Sequence, residues 1–194
     1  MKIAVINNYD SFVYNIIHYL EGFDGVEVCV FMNDDLEIED LQTFDKIVLS
    51  PGPGIPKEAG KLLEIIDFYK DKKNILGVCL GHQAIAEYFG CTLINLEKPL
   101  HGTASRLHIT ADDYLWKHLS ADIFVGHYHS WCVQNKNIPD EITVTAVDDF
   151  GNIMALKHNE LDIRGVQFHP ESVLTPEGKQ MIENWIFNLL TCKK

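Results

Sequence analysis

A cysteine between two glycines is the strongest chemical signal in the sequence. Residues 77–81 read Gly-Val-Cys-Leu-Gly and lie where an apolar strand predicted over 74–78 passes into a helix predicted over 83–89. A sharp turn here exposes the sulfur and points the backbone amides that follow toward the group it attacks. The nearby helix N-terminus favours the thiolate, which is the nucleophilic form. Cys79 in this cysteine turn is therefore a predicted nucleophile.

A second segment supplies a base and a carboxylate. His169 and Glu171 are two residues apart, and in an extended chain such residues lie on the same face. Pro170 between them has no backbone donor and suits the point where a strand leaves its sheet. A cysteine, a histidine and a carboxylate that orients the histidine are the groups that acyl transfer needs. This spacing is common by chance, so the segment has weight only together with the cysteine turn.

With these segments in place, the chain resembles the class I, triad-type glutamine amidotransferases. The resemblance runs from Pro-Gly-Pro-Gly at 51–54 through the cysteine turn and Tyr-His-Ser at 128–130 to the His-Pro-Glu segment. It implies hydrolysis of the glutamine side-chain amide to glutamate and ammonia. It also implies that Cys79 is the nucleophile, His169 the general base and acid, and Glu171 the residue that orients His169.

The tetrahedral intermediate of this reaction carries an oxyanion that needs preorganised donors. The backbone amide of Leu80 in the cysteine turn is one candidate. The second must come from another loop, and residues 51–54 follow the apolar strand predicted at 46–50, with glycines that permit close backbone approach. The resemblance implies that Gln83 and the backbone of residues 130–131 hold the α-amino and α-carboxylate groups of glutamine. The expected glutamine and oxyanion site therefore comprises Gly52, Pro53, Gly54, Leu80, Gln83, Ser130 and Trp131.

The histidines do not predict a metal site. Zinc needs three or four converging ligands, and no cysteine or further carboxylate recurs at ligand spacing near His127, His129, His101 or His108. His129 is instead expected at a strand end beside the glutamine site, with His127 facing the opposite way. We expect no metal and no cofactor in this chain.

The composition agrees with a soluble, single-domain enzyme. The chain has 194 residues, of which 46% are hydrophobic, and this length suits one domain over residues 1–194. A formal net charge of −12 argues against nucleic-acid binding, which requires clustered Lys and Arg. The 5 cysteines form no CxxC pair and suit a reducing compartment. Without a signal-peptide pattern or a long apolar run, the expected location is the cytoplasm, with no membrane attachment.

Short apolar runs alternate with helical patterns as far as Gly90, which is typical of an open, mostly parallel sheet with helices on both faces. Beyond Gly90 strands follow one another and predict an antiparallel extension of this α/β sheet. Ligands of such sheets bind at the carboxyl ends of the strands. The predicted strands are 3–6, 26–31, 47–49, 74–78, 92–96, 105–109, 142–147, 153–157 and 163–167. The predicted helices are one capped by Asp10-Ser11 and running to about 20, then 58–69, 83–89 and 176–190.

Free ammonia would be wasted by an isolated amidotransferase, so a partner synthase is expected. Asn-Tyr-Asp-Ser-Phe at 8–12, His101-Gly102 and Ser105-Arg106 look most like the small subunits of anthranilate synthase and 4-amino-4-deoxychorismate synthase. This resemblance implies a hetero-oligomer in which the chain takes L-glutamine and feeds ammonia to a chorismate-binding synthase subunit, component I. Any Mg²⁺ requirement is expected in that partner.

Three alternatives stay open at this point. The chain could serve a GMP, CTP or carbamoyl phosphate synthase. It could be a stand-alone cysteine γ-glutamyl hydrolase or peptidase, which would be fully active without a partner. It could also be a regulatory binding module with an inactive site, although the intact set of Cys79, His169 and Glu171 argues against that role.

Overall fold

The computed structural model describes residues 1–188 and contains ten strands and four α-helices within them. The strands are β1 (Lys2–Asn7), β2 (Glu27–Met32), β3 (Lys46–Leu49), β4 (Asn74–Val78), β5 (Leu93–Arg106), β6 (His108–Ile109), β7 (Phe124–Val133), β8 (Ile142–Val147), β9 (Ile153–His158) and β10 (Ile163–Val166). The helices are α1 (Val13–Glu21), α2 (Leu62–Tyr69), α3 (Leu80–Tyr88) and α4 (Gly178–Ile186). Short 3-10 helices cover Ile38–Thr43, Pro56–Glu58 and Tyr114–Trp116.

Eight of the strands form one sheet in the order β2-β1-β3-β4-β10-β9-β8-β6. The first five are mutually parallel, and β9, β8 and β6 continue the sheet in antiparallel pairings. The prediction of a mostly parallel α/β sheet with an antiparallel extension is confirmed. Within residues 1–188, no helix is long and apolar enough to cross a membrane.

The helices cover both faces of the sheet, as predicted. In β1, Ile3 and Val5 pack with the apolar residues of α1 and α4, whereas Ala4 and Ile6 pack with those of α2 and α3. This alternation follows from the period of two in a strand. Two apolar layers therefore enclose the parallel strands, whose near-continuous apolar character results from burial on both sides.

Three of the strands predicted beyond Gly90 differ from the structure. β10, predicted in the antiparallel extension, is antiparallel to β9 but parallel to β4, so that it belongs to the parallel part of the sheet and Gly165 lies beside Gly77. Residues 92–96 leave the main sheet and begin β5, which pairs only with β7 in a two-stranded antiparallel ribbon, called here the β5–β7 ribbon. The predicted strand 105–109 is divided between β5 and β6. Much of β7 is buried on both sides, so it lacks the alternation that marks a strand in sequence.

The helix ends also differ from the predictions. α1 begins at Val13, and its N-cap residue is Phe12 in place of the predicted Asp10-Ser11. The Asp10 carboxylate accepts the Phe12 amide at 2.7 Å in the turn before the helix. α2 begins four residues later than predicted, because Gly60 has a φ of +54°, which is not helical. A Cβ at this position would lie 2.5 Å from the backbone oxygen of Asn33. α4 covers 178–186, and residues 189–190 of the predicted last helix lie outside the described residues. Gly90, at φ +90°, follows α3 as predicted.

Candidate active site

The candidate site lies at the carboxyl ends of four adjacent parallel strands, β1, β3, β4 and β10. Asn8 follows β1, residues 51–54 follow β3, Cys79 follows β4, and residues 167–171 follow β10. Because parallel strands end at the same edge, segments far apart in sequence meet here.

Cys79 occupies a sharp turn of strained backbone. Its φ of 52° and ψ of −101° are unusual for a residue other than glycine, and it is the N-cap residue of α3. A Cβ on Gly77 would lie 2.4 Å from the backbone of Gly81, and one on Gly81 would lie 2.2 Å from the Leu49 oxygen. Both glycines are therefore needed for the close packing of β4 against α3. Such strain costs about 1–3 kcal/mol and persists where the surroundings enforce it, often at functional sites.

His169 and Glu171 form a buried ion pair. The His169 Nδ1 donates to Glu171 Oε1 at 2.7 Å, and the side chains are 2% and 0% exposed. They meet in a turn, in which the Ser172 amide donates to the His169 oxygen at 3.1 Å, and not on the extended strand end that was predicted. The His169 amide also donates to the Gly126 oxygen at 3.1 Å, and Thr175 Oγ1 donates to the His169 oxygen at 2.7 Å. These bonds fix the backbone of the histidine to β7 and to its own turn.

The second ring nitrogen of His169 is available for chemistry. Nε2 is buried and has no partner with hydrogen-bond geometry among residues 1–188. Burial alone would lower the pKa of His169, but its interactions with the Cys79 sulfur and the Glu171 carboxylate outweigh burial and raise that pKa to about 10. The arrangement therefore favours a positively charged imidazole beside the cysteine, which is what a thiolate nucleophile requires.

The loop at 51–54 is held against the cysteine turn. The Asn8 amide donates to Ser50 Oγ at 2.9 Å, and Asn8 Nδ2 donates to the Ser50 oxygen at 2.8 Å. A Cβ on Gly52 would lie 2.5 Å from Asn8 Cβ and 2.6 Å from Leu80 Cδ2, so the glycine fills a gap that no larger residue could. Gly52 and Leu80 thus lie together, as an oxyanion site requires, whereas Pro53 and Gly54 lie farther out and are exposed.

Gln83 joins three elements of the site. It is buried on α3, and its Nε2 donates to the Trp131 oxygen at 2.8 Å and to Gln167 Oε1 at 3.1 Å. Ser130 and Trp131 are half-buried on β7. The structure thus brings the predicted glutamine-binding residues of α3 and β7 next to each other. Because the Gln83 amide nitrogen is already bonded, a ligand would have to use its oxygen or displace one of these bonds.

Several residues of the site were not predicted. Gln167 is fully buried, and its Nε2 lies 3.6 Å from Cys79 Sγ. A polar residue directly after a buried parallel strand is the signal that could have identified it. Asn8, Phe12 and Tyr128 contribute to the site through side-chain contacts with segments far away in the chain. The spacing of residues along the sequence does not reveal such contacts.

The prediction that His127 faces away from His129 was wrong. Residues two apart in a strand share a face, and the two rings lie 5.5 Å apart. His127 Nε2 is hydrogen-bonded to Ser105 Oγ at 2.6 Å, whereas neither ring nitrogen of His129 has a partner within residues 1–188. Burial, followed by the neighbouring histidines, lowers the pKa of His129 to about 3, so this buried ring is neutral. In the described part of the chain, no three potential ligands cluster as a metal site needs.

Comparison with known proteins agrees with this geometry. A family profile described as glutamine amidotransferase class-I matches residues 4–189. The Bacillus subtilis aminodeoxychorismate/anthranilate synthase component 2 is 42% identical over 186 residues, which is 95% of each chain. The Pseudomonas putida anthranilate synthase component 2 is 41% identical over 96% of each chain. The Klebsiella aerogenes aminodeoxychorismate synthase component 2 is 40% identical over 95% of this chain and 98% of its own.

A solved structure has the same fold. It is described as a GMP synthase subunit from Thermoplasma acidophilum, and it matches with a TM-score of 0.85. The match covers 96% of this chain and 92% of the other at 27% sequence identity.

Proposed function

This chain belongs to the class I glutamine amidotransferase family, and from that premise we propose that it is the glutaminase subunit of a chorismate-using synthase. In this role it hydrolyses L-glutamine and passes the ammonia to a separate subunit that forms anthranilate or 4-amino-4-deoxychorismate. The observation that carries the proposal is the near full-length identity of 40–42% to relatives named as component 2 of these synthases. The site geometry supports the glutaminase half of it.

Acylation begins at Cys79. With the thiol proton already on His169 Nε2, the thiolate attacks the carboxamide carbon of glutamine. The oxyanion that forms is held by the backbone amides of Leu80 and Gly52 in this proposal, where each donor is worth about 3–4 kcal/mol in comparable enzymes. The protonated His169 then gives its proton to the leaving nitrogen, so that ammonia departs and a γ-glutamyl thioester remains on the sulfur.

Deacylation uses the same groups. His169 now takes a proton from water, which attacks the thioester carbon, and the sulfur leaves as glutamate is released. Glu171 accepts from Nδ1 throughout, which holds that side of the ring and stabilises its charged form. Gln83 and the backbone of Ser130 and Trp131 hold the α-amino and α-carboxylate groups of glutamine in this proposal, so that they select glutamine over other amides.

We further propose that this chain needs no cofactor and acts in the cytoplasm, bound to component I and to neither nucleic acid nor membrane. Its four described cysteines are free, which suits a reducing compartment. If Mg²⁺ is needed, it belongs to the synthase partner. Excess EDTA should then leave glutamate release unchanged while it stops product formation by the complex.

The test is glutamate release from glutamine by the purified chain, alone and with component I plus chorismate. Stimulation by the partner, with anthranilate or aminodeoxychorismate appearing, is expected. The matched variant is Cys79→Ser, which should abolish glutamine-dependent synthesis while ammonium salts still support it through the intact complex. Stimulation by a GMP synthase partner instead would refute the chorismate assignment, and full activity alone on γ-glutamyl peptides would indicate a hydrolase.

A further inference from the structure

Three aromatic rings meet at the candidate base. The Phe12 ring centroid lies 5.3 Å from that of His169 at an interplanar angle of 69°, and the Tyr128 centroid lies 5.0 Å from it at 66°. Phe12 and Tyr128 also contact each other, with centroids 5.0 Å apart. Both contacts to the imidazole are edge-to-face, which is a preferred geometry for aromatic pairs. The imidazole is therefore bounded by two mutually supporting rings.

The ion pair with Glu171 does not by itself fix the imidazole. One hydrogen bond at Nδ1 restrains a single atom of the ring, and small rotations about the Cα–Cβ and Cβ–Cγ bonds can still swing Nε2, which has no hydrogen-bond partner among residues 1–188. The direction of Nε2 matters because a displacement of about 1 Å of a reacting group can cost roughly 100-fold in rate. Rings packed against the imidazole block this swing without competing for either nitrogen.

Tyr128 is anchored to the same turn that holds the base. Its hydroxyl is hydrogen-bonded to Ser172 Oγ at 3.0 Å, and Ser172 Oγ also accepts from the Leu174 amide at 3.1 Å. The ring contact and the hydroxyl contact thus tie β7 to the 169–172 turn at two points. Phe12 has its own anchor, since its amide donates to the Asp10 carboxylate at 2.7 Å.

We propose that Phe12 and Tyr128 are positioning residues for His169, which keep Nε2 directed at Cys79 and so support turnover more than glutamine binding. This inference rests on the proposed function, in which His169 is the general base. It gives a role to the Asn-Tyr-Asp-Ser-Phe segment at residues 8–12, whose resemblance to one subfamily is visible in the sequence but whose chemistry is not.

The positioning contact reaches the surface of the protein. Phe12 and Tyr128 are half-buried, and the exposed His101 of β5 packs edge-to-face on Tyr128 with centroids 5.4 Å apart. A continuous row of rings therefore runs from the β5–β7 ribbon to the imidazole.

The first test is the steady-state kinetics of glutamate release in the complex with component I and chorismate. Phe12→Leu and Tyr128→Leu keep apolar volume but remove the rings, and each should lower kcat by roughly 10- to 100-fold with KM changed less than about threefold. Phe12→Tyr should keep the kcat of the parent, and the kcat of Tyr128→Phe should lie between those of the parent and Tyr128→Leu. The matched control is Tyr14→Leu on α1, because the Tyr14 ring is 67% exposed. Ammonia-dependent synthesis should be unchanged in all variants, and co-elution with component I in gel filtration shows that the complex still forms.

A second measurement needs neither glutamine nor a partner. The rate at which iodoacetamide alkylates Cys79 in the full chain is followed against pH by mass spectrometry of the Cys79 peptide. Misplacing the imidazole weakens its support of the Cys79 sulfur, so alkylation should be slower across this profile in Phe12→Leu and Tyr128→Leu. The profile should be unchanged in Tyr14→Leu.

Either measurement can overturn the inference. A kcat within about twofold of the parent for Phe12→Leu, or a change in KM alone, would show that the rings do not position the base. An unchanged alkylation profile would show the same even if the parent chain had no glutaminase activity, so failure of the proposed function remains distinguishable. If Tyr128→Leu does not fold, as judged by circular dichroism, Phe12→Leu and Tyr128→Phe decide the question.

Discussion

Replacing Glu171 by Gln should isolate the contribution of the buried carboxylate to the base. The variant keeps the shape of the side chain and removes its charge from a pair at 2.7 Å with 2% and 0% exposure. The rise in the pKa of His169 from 6.5 to about 10 corresponds to about 5 kcal/mol in favour of the charged ring. Cys79 and Glu171 share this stabilisation. A hydrogen bond to a charged group contributes about 1.5–3 kcal/mol, so its weakening in the variant should lower kcat by roughly 10- to 150-fold.

The pH dependence gives the sign of the effect. A raised pKa means that the charged ring stabilises the fold fully below pH 6.5 and that this contribution disappears as pH rises through about 10. In Glu171→Gln the His169 ring should lose its charge at lower pH. The alkaline limb of the kcat profile and the loss of stability at high pH should therefore both move to lower pH.

The assay is glutamate release from pH 6 to 10, with urea unfolding over the same range. Glu160→Gln, an exposed carboxylate, is the matched control. A kcat for Glu171→Gln within about threefold of the parent, with an unmoved alkaline limb, would refute the reasoning.

Three further results are expected. Gly81→Ala should lower the free energy of unfolding in urea by about 1–3 kcal/mol or more, because the new Cβ would lie 2.2 Å from a backbone oxygen of β3. Gly22→Ala should cost less, since its Cβ would lie 3.3 Å from the nearest backbone oxygen. Because the pKa of His129 is lowered to about 3 in the folded chain, the unfolded chain binds the proton more readily. The free energy of unfolding should therefore fall by about 2 kcal/mol as pH is lowered from 7 to 5, and His129→Leu should make that fall smaller. Asn8→Ala removes the donor to the Ser50 oxygen, and should lower stability by about 1–3 kcal/mol and kcat more than KM.

The parts of the site that could be predicted are those in which the local backbone geometry permits only certain residue types. A strand-to-helix turn with a cysteine leaves no room for a Cβ at Gly77 or Gly81, so the glycines are visible in the sequence itself. The parallel strands were predictable for a similar reason, since burial on both faces demands continuous apolar runs.

The remainder depends on contacts between segments far apart in the chain. Phe12 and Tyr128 meet only because the segment after β1 and the middle of β7 both lie near the 169–172 turn, and no periodicity in the sequence reports such a meeting. β7 was harder still, because burial on both sides erases the alternation by which a strand is recognised. The pairing of β10 with β4 is a long-range choice of the same kind, and it delivers His169 beside Cys79.

That pairing explains why the site and the fold depend on each other. The Cys79 amide donates to the Val166 oxygen at 2.8 Å, so the strand that precedes the base also supports the strained turn of the nucleophile. Nucleophile and base are thereby placed relative to each other by one backbone hydrogen bond and by the register of β4 with β10. The rings of Phe12 and Tyr128 restrain what this backbone frame leaves free, which is the rotation of the imidazole. Substitutions in the frame should therefore reduce stability and activity together, whereas substitutions in the rings should reduce activity with a smaller loss of stability.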